Sequence, residues 1–301
     1  MSAAAPPRAV LMMLAGASVI GTNSILVRLS AVAPTEAAFW RMLFGGAMLL
    51  GLLAGLRRLR WPGLASLGWL CIPAAAFAID LWMWHRSIAA VGPGLATLLA
   101  NFQVFLMVLA GVLLFGERVG PRFMAGLALA FGGTWLLVGR DWSALDGDYR
   151  IGVWLGLATG IAYATFNLTL RHAQQRQRAG GSEQALALMS LLCAAMLGGM
   201  VVAEGGSFAI PGTDSLLALL ALGLTGQVLG WVLIGRALPL LPASLVGLLL
   251  LLQPTVSFVL DVLLFDRPTA AWDWIGAAGS LVGIFLASTR GRVEGEREGR
   301  G

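Results

Sequence analysis

Four polar side chains sit where hydrocarbon is expected. Asn101, Tyr163, Gln227 and Gln253 each fall about ten residues into a long apolar run, which at ~1.5 Å per residue is close to the middle of a bilayer. A polar group at that depth is costly, ~2.5–3.5 kcal/mol for a central Asp, so it faces a cavity or a partner. Helical spacing extends these points into stripes: Tyr163 with Asn167, Gln227 with Trp231, and Gln253 with Ser257 and Asp261. Thr97 lies one turn before Asn101, and Asp80 one turn before Trp84. Amides, a phenol and indoles offer hydrogen bonds and ring surface without fixed net charge. That chemistry suits a neutral or zwitterionic molecule. A polyanion would need several deep basic residues, and Arg41 is the sole candidate for that role. The candidate binding set is therefore Asn101, Tyr163, Asn167, Gln227, Trp231, Gln253, Asp80 and Trp84.

Each of these residues has a second reading. Asn101 and Gln227 can bond across packed helices without touching a ligand. Gln253 precedes Pro254 and can satisfy the carbonyl that the proline frees. Trp84 also fits an interfacial belt. Asp80, His85, Glu36 and Asp261 lie toward the outer ends of their runs. His85, Asp261 and Glu36 can serve as proton-coupling or gate residues, or as ion-paired closures with Arg86, Arg28 or Arg267. No acidic residue is expected deep at the midplane, which weakens strict proton antiport.

The elements that must position these side chains follow from composition. Of 301 residues, 58% are hydrophobic and 12% charged. A soluble domain is about one quarter charged, so soluble and disordered classes are excluded. Long runs without alternation, such as 216–235 and 241–260, must be helices in hydrocarbon, because every backbone N–H needs an internal partner. The chain is thus expected to be an all-α integral membrane protein, with spans at 9–29, 35–56, 63–85, 91–115, 122–139, 151–171, 184–204, 214–236, 240–264 and 271–289. Residues 290–301 read as a disordered tail. Cys71 and Cys193, both inside apolar runs, read as packing residues rather than a disulfide or metal pair.

Charge sets the expected orientation. Of 20 basic residues, all arginine, Arg28, Arg86, Arg140, Arg150 and Arg267 fall on one side and Arg41 within a span. The remaining fourteen lie on the side of the termini, so both termini are expected in the cytoplasm. Trp40, Trp82, Trp84, Trp142, Trp154, Trp272 and Trp274 fall near the outer interface and Trp61 near the inner one, whereas Trp135 and Trp231 lie inside their spans. The net charge of +5 belongs to this bias, and with no basic patch interleaved with aromatics, nucleic acid is not an expected partner.

An internal repeat is visible at a shift of 150 residues. Arg86 falls on Arg236, Gln103 on Gln253, Leu113-Leu114-Phe115 on Leu263-Leu264-Phe265, Gly126 on Gly276, Ala128 on Ala278 and Gly133 on Gly283; with a one-residue gap, Pro93 falls on Pro242. Five spans per half is odd, so the halves (residues 1–145 and 146–289) insert with inverted topology. Inverted repeats enclose a midplane site that can open alternately to each side. Small-residue stripes at Gly152/Gly156/Gly160, Gly51/Gly55, Gly226/Gly230 and Gly279/Gly283 let helices approach closely, as static packing or as sliding surfaces.

Four local features carry a resemblance. They are Phe39-Trp40-Arg41 with Gly45 and Gly46 after it, Pro93 opening span four, Phe115-Gly116-Glu117 followed by Gly126, and the second-half echo Phe265-Asp266 with Gly276. Together with ten spans in two halves, they resemble the EamA family of the drug/metabolite transporter superfamily over residues 9–289. The second half departs from the pattern, having Asp266 where a glutamate is usual and no arginine matching Arg41. Within the family the chain is most similar to bacterial aromatic amino-acid exporters. The resemblance implies a monomer or weak dimer in the bacterial inner membrane that exports amino acids by alternating access, or else drugs or other small metabolites, with no cofactor or metal.

Rival classes lack their signatures. His85 and His172 are expected on opposite sides, and no Gly-x-Ser-x-Gly, His-Glu-x-x-His or P-loop pattern is present, so an enzyme is not expected. A channel would show a charge ring or carbonyl filter, and neither is visible.

Overall fold

The computed structural model describes residues 6–106, 120–136, 142–143, 145–176, 181–237, 240, 249–250, 252–266 and 269–288. Among them the regular elements are helical. They are α1 (Pro7–Gly21), α2 (Asn23–Leu29), α3 (Pro34–Gly55), α4 (Leu64–Val91), α5 (Pro93–Ala100), α6 (Pro121–Thr134), α7 (Gly147–Arg176), α8 (Gly181–Ala203), α9 (Thr213–Gly223), a π-helical segment (Leu224–Gly230), α10 (Trp231–Ala237), α11 (Leu252–Phe265) and α12 (Ala271–Ser288). Pro7, Pro34, Pro93 and Pro121 stand in the first turn of α1, α3, α5 and α6, where the missing N–H has no intrahelical partner to lose. Between α4 and α5, Gly92 adopts φ +87°, which allows one helix to end and the next to begin within a single residue.

Six helical stretches are long and apolar enough to cross a bilayer: Pro7–Leu29, Pro34–Gly55, Leu64–Val91, Gly147–Leu170, Gly181–Ala203 and Thr213–Ala237. Shorter apolar helices, Pro93–Leu106, Leu252–Phe265 and Ala271–Leu286, occupy the places expected for spans four, nine and ten, and α6 that of span five. Part of spans four, five and nine, the motif Phe115-Gly116-Glu117, Pro242, Arg118, Arg140, Arg267 and the tail 290–301 lie outside the described residues. Cys71 and Cys193 are both free thiols.

Packing repeats itself between the halves. α4 packs on α7, as α1 packs on α10 and the π segment; α4 packs on α8, as α3 packs on α9; α5 packs on α7, as α1 packs on α11. The pairs α3–α8, α5–α11 and α6–α12 map onto themselves under the same exchange. Those self-paired helices run in opposite directions. Glu36 near the start of α3 meets Ser207 beyond the end of α8, while Arg58 and Arg60 beyond the end of α3 meet Glu183 and Gln184 at the start of α8. Gly94 at the start of α5 meets Asp261 near the end of α11.

The α6–α12 crossing is the tightest case. A Cβ on Gly133 would lie 2.5 Å from the carbonyl oxygen of Gly276, and one on Gly283 would lie 2.5 Å from that of Gly126. These are the same two contacts related by the 150-residue shift. The stripe Gly152, Gly156 and Gly160 likewise packs on the end of α4 and on α5, through Val91, Ser87, Leu99 and Gln103. Gly51 and Gly55, by contrast, face no described neighbour within 4 Å.

The apolar faces divide by burial. One large cluster is formed mainly by α3, α4, α5, α7 and α8, and Trp61, Trp135, Trp154, Trp272 and Trp274 remain exposed. Trp84 departs from the belt expectation: it is buried. α4 continues to Val91 rather than stopping near residue 85, which draws Trp84 a full turn and more into the bundle.

Candidate functional site

α4 presents Phe77, Asp80, Leu81 and Trp84 at i, i+3, i+4 and i+7, one face of a helix. These four line a cavity of about 60 Å³. Arg41 of α3 closes one wall, Thr97, Ala100, Asn101 and Gln103 another, and Thr159 and Tyr163 of α7 a third. Ile20 of α1, Trp231 of α10 and Gln253 of α11 complete it. Both halves of the chain therefore contribute. Asn101 ends α5, and its Nδ2 donates to the Thr97 carbonyl at 2.8 Å, which leaves the backbone turned rather than continuously helical there.

Six of the expected residues are on the wall: Asp80, Trp84, Asn101, Tyr163, Trp231 and Gln253. Asn167 stands one turn behind, where its Nδ2 donates to the Tyr163 carbonyl at 2.9 Å and to Gln103 Oε1 at 3.3 Å. It thereby holds the Gln103 amide, a wall residue that only the repeat alignment had marked. Gln227 is off the wall. It is fully buried against Met42, whose sulfur accepts from its Nε2 at 3.2 Å, and against Gly45. The shared face expected for Gln227 and Trp231 assumes 3.6 residues per turn. Residues 224–230 are π-helical instead, and Gln227 of that segment packs on α3, against Met42 and Gly45, while Trp231 lines the cavity.

Asp80 corrects the expectation that no acidic residue lies deep. In the 28-residue α4 it stands near the centre, 4% exposed. Arg41, 3% exposed and the one deep basic residue that the sequence offers, also lies on the wall. Its guanidinium lies 5.5 Å from the Trp84 ring and 6.0 Å from the Phe77 ring. The cavity is thus not merely amide and aromatic: its wall carries one acidic and one basic side chain. Among the described residues, Asp80 Oδ1 and Arg41 Nε and Nη1 have no hydrogen-bond partner.

The rings form a connected floor. Phe77 stacks on Phe166 at 4.2 Å, and Trp231 stands edge-on to Phe166 at 5.7 Å and to Tyr163 at 6.2 Å. Such pairs contribute ~0.5–1.5 kcal/mol each beyond their buried area, and they hold an apolar surface rigid beside Asp80 and Arg41.

The candidate gate residues do not reach the cavity. His85 is fully buried beside it, its Nδ1 2.7 Å from the Leu81 carbonyl. Asp261 accepts from the Gly94 N–H at 3.1 Å and pairs with Arg28 at 3.5 Å. Below it, Ser257 bonds Ser24, Thr97 and the Pro93 carbonyl, so α2, α5 and α11 are tied at one end of the bundle. Glu36 accepts from the Ser207 N–H at 2.8 Å. The partner of Arg86 is Glu204 at 2.7 Å, which also accepts from Thr35 and Trp82. At the opposite end Glu183 meets Arg236 at 3.2 Å and Arg58 at 3.9 Å.

Glu204 makes the first network pH-sensitive. Burial works against its charged form, but the hydrogen bonds from Trp82, Thr35 and Arg86 outweigh that and hold its carboxyl below the ordinary value of 4.5. A depressed carboxylate stabilises the fold above its unfolded value, and the contribution is lost as pH falls through the lower folded one. Being partly exposed, the network is worth about 1 kcal/mol or less. Melting temperatures measured from about pH 7 to pH 3.5 are expected to fall below about 4.5 in the wild type and to lack that component in Glu204→Gln.

Comparison with known proteins agrees with the architecture. The EamA-like transporter family matches residues 7–139 and again 150–289. The chain belongs to the EamA-like transporter family. It is a multi-pass membrane protein of a transporter family, and the double match follows the two halves seen in the packing. A "Probable amino-acid metabolite efflux pump" of Escherichia coli (strain K12) is 25% identical over 207 residues, which cover 64% of this chain and 66% of that protein. An uncharacterized protein of Pseudomonas aeruginosa is 32% identical over 241 residues, covering 76% of this chain and 75% of its own. A solved crystal structure shares the fold, with a TM-score of 0.66, 20% identity, and coverage of 93% of this chain and 96% of that one.

Proposed function

We propose that this EamA-family protein is a secondary transporter that exports amino acids, aromatic or other neutral ones, across the bacterial inner membrane. The observation that carries the reading is the cavity itself. Its wall is shared by Arg41, Asp80 and Asn101 from one half and by Tyr163, Trp231 and Gln253 from the other, as alternating access between two bundles requires. The printed name of the Escherichia coli relative points the same way. The proposed architecture is ten spans, five in 1–145 and five inverted in 146–289, followed by a tail at 290–301, with both termini cytoplasmic in keeping with the arginine bias.

In this frame the Arg28–Asp261 and Arg86–Glu204 ties close the outer end, and the Glu183 pairs close the inner end. Opening either side breaks one set while the other holds. Export of drugs or other small metabolites by the same route is the competing reading.

The test is counterflow of radiolabelled L-phenylalanine in proteoliposomes holding the purified protein, with and without a pH gradient, competed by a panel of amino acids and cationic drugs. Saturable counterflow competed by neutral amino acids is expected. Counterflow driven only by the drugs would replace the amino-acid reading, and single-channel currents would replace the transporter.

A further inference from the structure

We propose that the cavity reads its substrate as a zwitterion, with the substrate ammonium received by Asp80 and its carboxylate by Arg41. This inference rests on the transport reading above and names how that site recognises its cargo. Both side chains are buried and both line the same cavity. Among the described residues neither enters an ion pair within 4.0 Å, and Asp80 Oδ1, Arg41 Nε and Arg41 Nη1 find no hydrogen-bond partner. A buried carboxyl and a buried guanidinium left in this way are costly, because each loses hydration without gaining a close partner. A ligand carrying one group of each sign supplies both missing partners at once.

The geometry suits that insertion. Phe77 and Trp84 flank Asp80 along one face of α4, and the Arg41 guanidinium lies over both of their rings. Arg41 therefore lies beside the face of α4 that carries Asp80. Its orientation is fixed from behind by the π segment. A Cβ on Gly226 would stand only 3.4 Å from Arg41 Nε and 3.5 Å from Nη2, so the bare backbone of that glycine packs against the guanidinium. The floor formed by Phe77, Tyr163, Phe166 and Trp231 receives an apolar side chain. A ligand with the ammonium alone leaves Arg41 unpaired, and one with the carboxylate alone leaves Asp80 unpaired. The site thus discriminates against both from a single pair of residues, since a hydrogen-bonding site rejects an analogue that leaves its buried group unmatched.

The test competes L-phenylalanine counterflow with L-phenylalaninamide, which lacks the carboxylate, and with N-acetyl-L-phenylalanine, which lacks the ammonium. In the wild type each analogue is expected to compete at least ~tenfold more weakly than the parent, the loss of one charge-assisted contact. Asp80→Asn is expected to abolish the preference against the N-acetyl compound while keeping that against the amide, and Arg41→Gln to do the reverse. This crossed pattern is a readout that a merely structural role would not move. Wild-type protein that takes either analogue as well as phenylalanine overturns the inference, and that arm does not depend on how the variants fold. So do folded variants that keep both preferences. In either case robust phenylalanine counterflow leaves the transport reading standing, whereas an absence of counterflow for every amino acid in the panel removes both.

Discussion

Trp231→Ala is expected to reduce L-phenylalanine counterflow at least ~tenfold while leaving the yield of folded protein intact. The indole is 9% exposed and faces Phe77, Tyr163 and Phe166 across the cavity floor. A ring of this kind buries 150–250 Å², and at ~25 cal/mol per Å² losing half of that contact removes ~2 kcal/mol of ligand stabilisation. That corresponds to more than an order of magnitude in affinity. Trp154→Ala is the control, since that residue is 63% exposed on the outer surface of α7 and should leave the rate unchanged. Equal losses in both variants would mean that indole removal acts through general destabilisation. Gln227→Ala separates the two effects from the other direction. Its side chain packs on Met42 and Gly45 behind the wall, so it is expected to lower thermal stability and to leave the apparent affinity for phenylalanine close to wild type.

The second large effect is on the fold. Gly283→Ala and Gly133→Ala place a methyl group against backbone atoms of the facing helix, and backbone cannot give way as a flexible side chain can. Each is expected to cost ~1–3 kcal/mol, the range for overpacking a well-fitted interior. Gly51→Ala is the same chemical change in α3 with nothing within 4 Å. There the gain in helix propensity, up to ~1 kcal/mol, is unopposed. Thermal unfolding in detergent should therefore show opposite signs for identical substitutions. A lowered midpoint for Gly51→Ala, or an unchanged one for Gly283→Ala, would contradict the described packing.

Much of the architecture was legible because hydrocarbon restricts the menu. Long apolar runs can only be helices, and the 150-residue echo of Gly126 and Gly133 in Gly276 and Gly283 already marked the residues that meet in the α6–α12 crossing. Helix ends were less legible, and two errors followed from one of them. Stopping span three at residue 85 placed Asp80 and Trp84 near the surface, whereas the helix runs to Val91 and carries both inward. Hydropathy does not distinguish a span that ends from one that continues through Arg86 into another apolar turn.

The π segment was the other feature hydropathy does not show: Gln227, within it, packs on α3, while Trp231, the residue after it, lines the cavity. Nothing in Leu224–Gly230 beyond its two glycines signals that change, which arises where Gly226 and Gly230 are pressed against Arg41, Asn23 and Ile20. The depth of Arg41 in α3 could be read from the sequence, but that it shares a cavity with Asp80 depends on how α3 and α4 face one another.

In the proposed transport cycle, Asn101, Tyr163 and Trp231 border one aqueous compartment that opens to each side of the membrane in turn. The direct measurement is two-sided labelling of a single cysteine at position 101, in protein carrying Cys71→Ser and Cys193→Ala, with a membrane-impermeant maleimide added to one side or the other during turnover. Labelling from both sides, and protection from both by L-phenylalanine, is the expected result. Labelling from one side alone, or no labelling from either side in transport-competent protein, would contradict it.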